Sequence, residues 1–162
     1  MLVVTNSSPL INLSGIGCLH LLDQWNTIIV PDAVYHEVVV RGAGQPGAVE
    51  VATDPRFVRR SVQQQTAVTT LLRQYANLSR AEVEAIVLTQ ELHAHLVLID
   101  EDQARTLAQH LGLPVRGILG ILLEAKAAGR ISLVKPLMDA LRQFGFKVDK
   151  RTYNVVLQAA GE

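Results

Sequence analysis

The sequence predicts an α/β fold built on a parallel sheet, and three observations carry that reading. Short, almost wholly apolar runs, Leu2–Thr5, Thr27–Val30 and His95–Asp100, have the composition of strands buried on both faces. Helical segments separate them, which calls for parallel crossovers. Each run ends in a polar or proline-containing junction, and in open α/β sheets ligands bind beyond the carboxyl ends of the strands.

The elements follow in order. Ser8-Pro9 opens a first helix, with Ser8 as its cap and Pro9 at its first position, and Leu10, Ile11 and Leu13 give it an apolar side. A second short helix is expected over Cys18–Leu22. Pro31-Asp32 opens a helix through Val39, where an acid in the first turn suits the positive helix end. RGAGQPGA, Arg41–Ala48, is a loop by composition, and Arg56–Val62 is an edge strand. Helices are expected over Thr66–Tyr75 and Ser79–Leu92, the second supported by apolar residues at helical spacing. A helix over Asp102–Leu111 stops at Gly112, and a short strand follows over Leu113–Val115. An apolar helix over Gly117–Ala128 and two more, near Pro136–Phe144 and Lys150–Ala160, complete the chain. No repeat, linker or low-complexity segment divides it, so residues 1–162 are expected to form one domain.

Composition narrows the function. Hydrophobic residues make up 49% of the chain, which argues against disorder. The formal net charge is zero, which argues against a broad nucleic-acid-binding face. The charge is uneven, however, at about −4 over residues 1–55 and about +4 over residues 126–162. Two solvated faces, or an acidic pocket beside a basic rim, both fit that asymmetry. Cys18 is the single cysteine, so an internal disulfide and a cysteine zinc site are excluded and a reducing cytoplasm is expected. No run is long and apolar enough for a membrane span, and the N-terminus does not have the make-up of a signal peptide.

The informative residues are the acids near the strand ends. Asp100 closes the run HLVLID, with Glu101 and Asp102 directly after it; Glu82 and Glu84 lie near the start of the Ser79–Leu92 helix; Glu37 follows TIIV. Carboxylates from separate segments suit Mg²⁺ and similar hard cations, which serve phosphoryl chemistry. Each has a structural alternative. Glu82 follows Ser79 in the S-x-x-E capping-box pattern, Glu84 and Glu37 can face water, and Asp100 can cap the next helix. Asn6, in the polar knot TNSS, can be a turn residue bonded to nearby backbone. The sequence holds no dinucleotide-binding or P-loop glycine motif, no H-E-x-x-H and no G-x-S-x-G.

Taken together, Asn6-Ser7-Ser8-Pro9-Leu10-Ile11, Pro31-Asp32-Ala33-Val34-Tyr35-His36-Glu37, Glu82-Val83-Glu84-Ala85-Ile86, Leu98-Ile99-Asp100-Glu101 with Arg105, Arg116-Gly117-Ile118-Leu119-Gly120 and Gly145-Phe146 resemble the PIN-domain family. The match is closest to a subgroup of PIN-like proteins described as predicted nucleic-acid-binding proteins. The resemblance spans nearly the whole chain. It implies a three-layer α/β/α sandwich and an acid cluster that binds Mg²⁺ or Mn²⁺ and cuts single-stranded RNA. It also implies a VapC-type toxin held by an antitoxin protein, and a homodimer. By that resemblance Glu37, Glu82 and Asp100 are the catalytic acids and metal ligands, Glu84 is a rival to Glu82, and Ser8 and Arg105 are candidate substrate contacts. Asn6 stands where the family usually has Asp, as a neutral ligand, and Glu101 and Asp102 can partly replace the missing charge. The alternative is a PIN-like protein of weak or no activity that binds nucleic acid or docks a partner.

Overall fold

A five-stranded, wholly parallel sheet is the centre of the computed structural model, which describes residues 1–162. The strands are β1 (Val3–Thr5), β2 (Ile28–Pro31), β3 (Phe57–Arg60), β4 (Leu96–Leu98) and β5 (Val115–Arg116), in the order β3-β2-β1-β4-β5. Val3 pairs with Ile28 on one side and Leu96 on the other. The helices are α1 (Ser7–Gly15), α2 (Asp32–Tyr35), α3 (Ala48–Thr53), α4 (Gln65–Gln74), α5 (Arg80–Glu91), α6 (Asp102–His110), α7 (Ile118–Ala127), α8 (Lys135–Phe144) and α9 (Lys150–Ala159). No helix is long and apolar enough to cross a membrane.

The strands are apolar throughout because successive side chains enter different layers. Val3, Ile28, Val30, Leu96 and Leu98 join a core that also holds residues of α1, α7, α8 and α9. Val4, Ile29, Val97 and Ile99 join a second core against α4, α5 and α6. The result is the expected three-layer sandwich. The chain lays β2 and β3 to one side of β1, then returns to place β4 and β5 on the other. The gap between the carboxyl ends of β1 and β4 is therefore a topological switch point, the place where α/β sheets bind ligands.

Several local expectations are corrected. Helix α1 begins at Ser7, with extended Asn6 at the cap position, so Ser8 is inside the helix and is not its cap. Pro9 is tolerated because N–H groups of the first turn have no intrahelical partner to lose. The helix after β2 is α2 followed by a π-helical turn, His36–Val40. The glycine-rich loop ends in α3, a helix not expected from the sequence; Gly47, at φ +95°, starts it, and Val51 anchors it in the core. Asp100 does not cap the helix that follows it. Glu101 holds that position, and Asp100 reaches α7 instead.

Candidate active site at the switch point

Three consecutive residues at the end of β1 each hold one acid. The amide nitrogen of Asn6 donates to Glu101 Oε2 at 3.0 Å. The Ser7 hydroxyl donates to Glu37 Oε2 at 2.5 Å. The Ser8 hydroxyl donates to Asp100 Oδ2 at 3.4 Å. The backbone sets this up: the Asn6 N–H donates to Leu98 O at 2.9 Å, which pins the start of α1 against the end of β4. The Asn6 side chain thus bonds to a carboxylate and not to nearby backbone.

Asp100 is the most constrained of the acids. Its Oδ1 accepts the Ile118 N–H, at the start of α7, at 2.7 Å. Gly117 makes room for this contact. A β-carbon there would lie 2.5 Å from Arg105 Nη1 and 2.8 Å from Asp100 Oδ1. Burial pushes the Asp100 carboxyl up to about 7, and the Ile118 N–H only partly offsets it; Glu101 raises it further, while Arg105 and Ser8 lower it.

Glu82 belongs to the same group. Ser79 caps α5 by accepting the Glu82 N–H at 3.2 Å, and its proximity lowers the Glu82 carboxyl in part. Burial raises the Glu82 carboxyl above its ordinary range, and the nearby charges of Glu101 and Glu37 add to it. Glu82 therefore faces the other acids.

Glu84 stands apart. It is only 4% exposed, accepts the Ala33 N–H at the start of α2 at 3.0 Å, and pairs with Arg80 at 2.9 Å. Its job in the structure is to join α5 to α2. Asp102 is exposed and lines a cavity of about 350 Å³ with Ser8, Asp100, Glu101 and Lys147. Arg105 lines a smaller one of about 160 Å³ that Asp100 and Lys147 share. His95 has a structural task, accepting the Leu2 N–H at 3.0 Å.

Two residues do more than their sequence positions suggest. Glu101, a possible substitute charge, touches Asn6 and bears on both Asp100 and Glu82. Its signal was its place in an unbroken acid run at a strand end. Ser7, which holds Glu37, was singled out by nothing except its place in the TNSS knot.

The donor set fits a hard divalent cation in kind, since every group offered is an oxygen. The buried Asn6 Oδ1 has no hydrogen-bond partner, an orphaned acceptor of the sort that an ion or its water satisfies. In the side-chain arrangement described, no three carboxylate, histidine or cysteine side chains converge tightly enough to hold an ion by themselves.

Order of strands, helical layers and acids at the switch point together define an α/β/α protein with an oxygen-rich site at the sheet's carboxyl edge. The chain belongs to the PIN domain family: the family model DUF3368, described as a PIN domain, matches residues 2–162. PIN domains are a family of nucleases, often found in toxin–antitoxin systems and generally dependent on divalent metal ions. Among solved structures, the fold is similar to that of a PilT N-terminus domain protein from the hyperthermophilic archaeon Sulfolobus solfataricus P2. The TM-score is 0.54 and the identity 16%, with 92% of this chain and 98% of that chain covered. A comparison with curated proteins finds no match.

Proposed function

We propose that the chain is a Mg²⁺- or Mn²⁺-dependent endoribonuclease that cuts single-stranded RNA. The observation that carries the reading is the Asn6-Ser7-Ser8 run, which gathers Glu37 from one segment and the adjacent Asp100 and Glu101 from another through neutral donors alone. Asp100, Glu82 and Glu37 would hold the ion, with Glu101 supplying the charge that Asn6 lacks and Asn6 Oδ1 a neutral oxygen. The ion, when bound, supplies neutralisation of phosphoryl charge and acidifies a water. The chain's own part is orientation. Ile118 ties down Asp100 Oδ1 and leaves Oδ2 with only a long hydroxyl contact. Ser7 fixes one oxygen of Glu37, and the Ser79 cap places Glu82 in the first turn of α5. The family also supports the finer role of toxin, acting as a homodimer in the cytoplasm with a small antitoxin protein over the acids.

A second reading, RNA or partner binding without cleavage, rests on Asn6. Its amide occupies one Glu101 oxygen and adds no negative charge of its own. One experiment separates the two: incubation of a mixed single-stranded RNA pool with Mn²⁺ and the native chain, Asn6→Asp or Asp100→Ala. The nuclease reading expects cleavage by the native chain, equal or faster cleavage by Asn6→Asp, and none by Asp100→Ala. Cleavage by Asn6→Asp alone would replace it with the binding reading.

A further inference from the structure

A cavity of about 540 Å³ lies between the loop that joins α4 to α5 and one face of α6, and it holds none of the acids that Asn6, Ser7 and Ser8 position. Leu78 and Leu107, both buried, form its floor. Gln103, Thr106, Leu107 and His110 reach it from α6 because they recur at spacings of three and four. The loop wall is a fixed turn: the Tyr75 N–H donates to Leu71 O at 2.9 Å, and Tyr75 O accepts the Leu78 N–H at 3.0 Å. The size is that of a site for a small organic group.

Its chemistry differs from that of the acid site. The lining has no lysine or arginine, and Asp102 is its one carboxylate, so a phosphate finds no cation there. Tyr75 is 42% exposed, and Asn77, Gln103 and His110 are exposed beside it. Of the polar side chains at the cavity, only Thr106 is hydrogen-bonded within the chain, donating to Asp102 O at 2.8 Å. An open aromatic ring, an apolar floor and carboxamides that both donate and accept suit a planar heterocycle with a polar edge. Two links tie the cavity to the acids. Asp102 also lines both of the cavities that reach Asp100. Leu78 is followed directly by Ser79, the cap of α5, whose first turn carries Glu82.

We infer that this cavity takes one nucleobase of the RNA strand, stacked on Tyr75 and read at its edge by Asn77 and Gln103, and that it thereby selects the sequence that is cut. The inference deepens the ribonuclease reading and rests on it for the path of the strand past the acids. Charge decides which part of the strand enters. Asp102 repels phosphate, whereas the unstacked base of a single strand is neutral and can be splayed into the cleft. The two kinds of contact divide the work. Stacking on a ring serves any base and gives affinity, while amide contacts to the base edge discriminate.

The test is fluorescence anisotropy of the full chain, in EDTA and low salt, with two labelled twelve-nucleotide RNAs: one of mixed sequence, and one with abasic riboses throughout. The native chain should bind the first about 10-fold or more tightly than the second. Tyr75→Ala should lower that ratio about 10-fold by weakening only the base-bearing RNA, and Tyr75→Phe, which keeps the ring, should restore most of it. With Mn²⁺, cleavage of a randomised RNA pool should show a base preference at one fixed position from the cut, and the double variant Asn77→Ala with Gln103→Ala should flatten it about fivefold or more. If Asp100-dependent cleavage is present and Tyr75→Ala binds both RNAs as the native chain does, the inference is overturned and the ribonuclease reading stands. If the native chain does not cleave but Tyr75→Ala loses the preference for the base-bearing RNA, that reading fails and the base site stands. Equal affinity of the native chain for the two RNAs would overturn the inference and leave the cavity to a side chain of a protein partner.

Discussion

The rim of the sheet around β2 and β3 and its centre between β1 and β4 treat carboxylates in opposite ways. On the rim, three aspartates pair with arginines. Asp32 accepts from Arg59 and Ser61, and Asp54 and Asp23 share Arg56. Hydrogen bonds from Ser61 and Arg59 hold Asp32 below its ordinary range, and Arg56 does the same for Asp54. In the centre, Glu37, Asp100 and Glu101 are met by two hydroxyls, a backbone N–H and an amide, and by no cation within ion-pairing distance. Burial and mutual repulsion push Asp100 and Glu82 up instead. The rim acids are satisfied from within the chain, while the central acids are positioned and left short of positive charge. That shortage is what a divalent cation would relieve.

The widest separation between the two regions should be in activity. Asp100→Ala removes a carboxylate that nothing nearby replaces and is expected to lower Mn²⁺-dependent RNA cleavage by about 100-fold or more. Asp32→Ala is expected to leave cleavage per folded molecule within about threefold and to show its effect in unfolding. Equal losses from both variants would mean that the rim and centre do not differ in role.

Metal should stabilise the centre only. At a hundredfold excess over its dissociation constant, a ligand specific to the folded state adds about 2.7 kcal/mol, or about 5 °C or more in Tm for a chain of this size. Mn²⁺ should produce that shift in the native chain and not in Asp100→Ala. Without metal, pH gives a second signature. The Asp100 carboxyl is raised from 3.8 to about 7. Between those values the folded chain holds a proton that the unfolded chain has released. This contribution to stability therefore falls as pH rises through the window and is gone above about 7. Asp100→Asn removes that slope, so its Tm relative to the native chain should climb from pH 5 to pH 8. A constant difference across that range would remove Asp100 from the account.

The fold was legible because its signals are local. A strand buried on both faces must be apolar at every position, and Val3 and Val4 entering opposite cores show why. The start of α1 was read two residues late because Ser8-Pro9 is a common helix opening, whereas Asn6 holds the cap position through its backbone bond to Leu98, a partner 92 positions away. The same distance effect hid Ser7, whose partner is Glu37. Glu101 is hidden from sequence because the strand His95–Asp100 is expected to run up to it. The strand ends at Leu98, so Asp100 and Glu101 both lie in the turn and both reach the acid group. Glu82 and Glu84 could not be separated from sequence. They are about 200° apart on one helix, and the tertiary neighbours, Glu101 for one and Ala33 for the other, tell them apart.

Glu84 sharpens the comparison, since it is a buried acid on the same helix as Glu82 but is treated as the rim acids are. Glu84→Ala takes away a charge-assisted bond to the start of α2 and frees Arg80, at an expected cost of about 1.5–3 kcal/mol in stability by urea unfolding. Cleavage by the fraction that stays folded should be close to native. Loss of activity beyond the loss of folded chain would move Glu84 into the group of acids that hold the metal.

The smallest expected effect is on the rim itself. Arg59 pairs with Asp32 at 2.6 Å, but its side chain is 54% exposed and that of Asp32 36%. Water screens such a pair, and exposed pairs contribute about 0.2–1 kcal/mol. Arg59 also stacks over the Tyr35 ring, 4.6 Å from its centroid, which adds a comparable amount at a partly exposed position. Arg59→Lys should keep the charge, lose the planar stack, and recover only part of what Arg59→Ala loses. Asp32 would then need less acid to protonate, because one of the two groups that lower its pKa is weakened. A loss above about 2 kcal/mol in Arg59→Ala would show that the rim pairs do more than hold β3 to the start of α2. The contrast with the centre would then be one of degree.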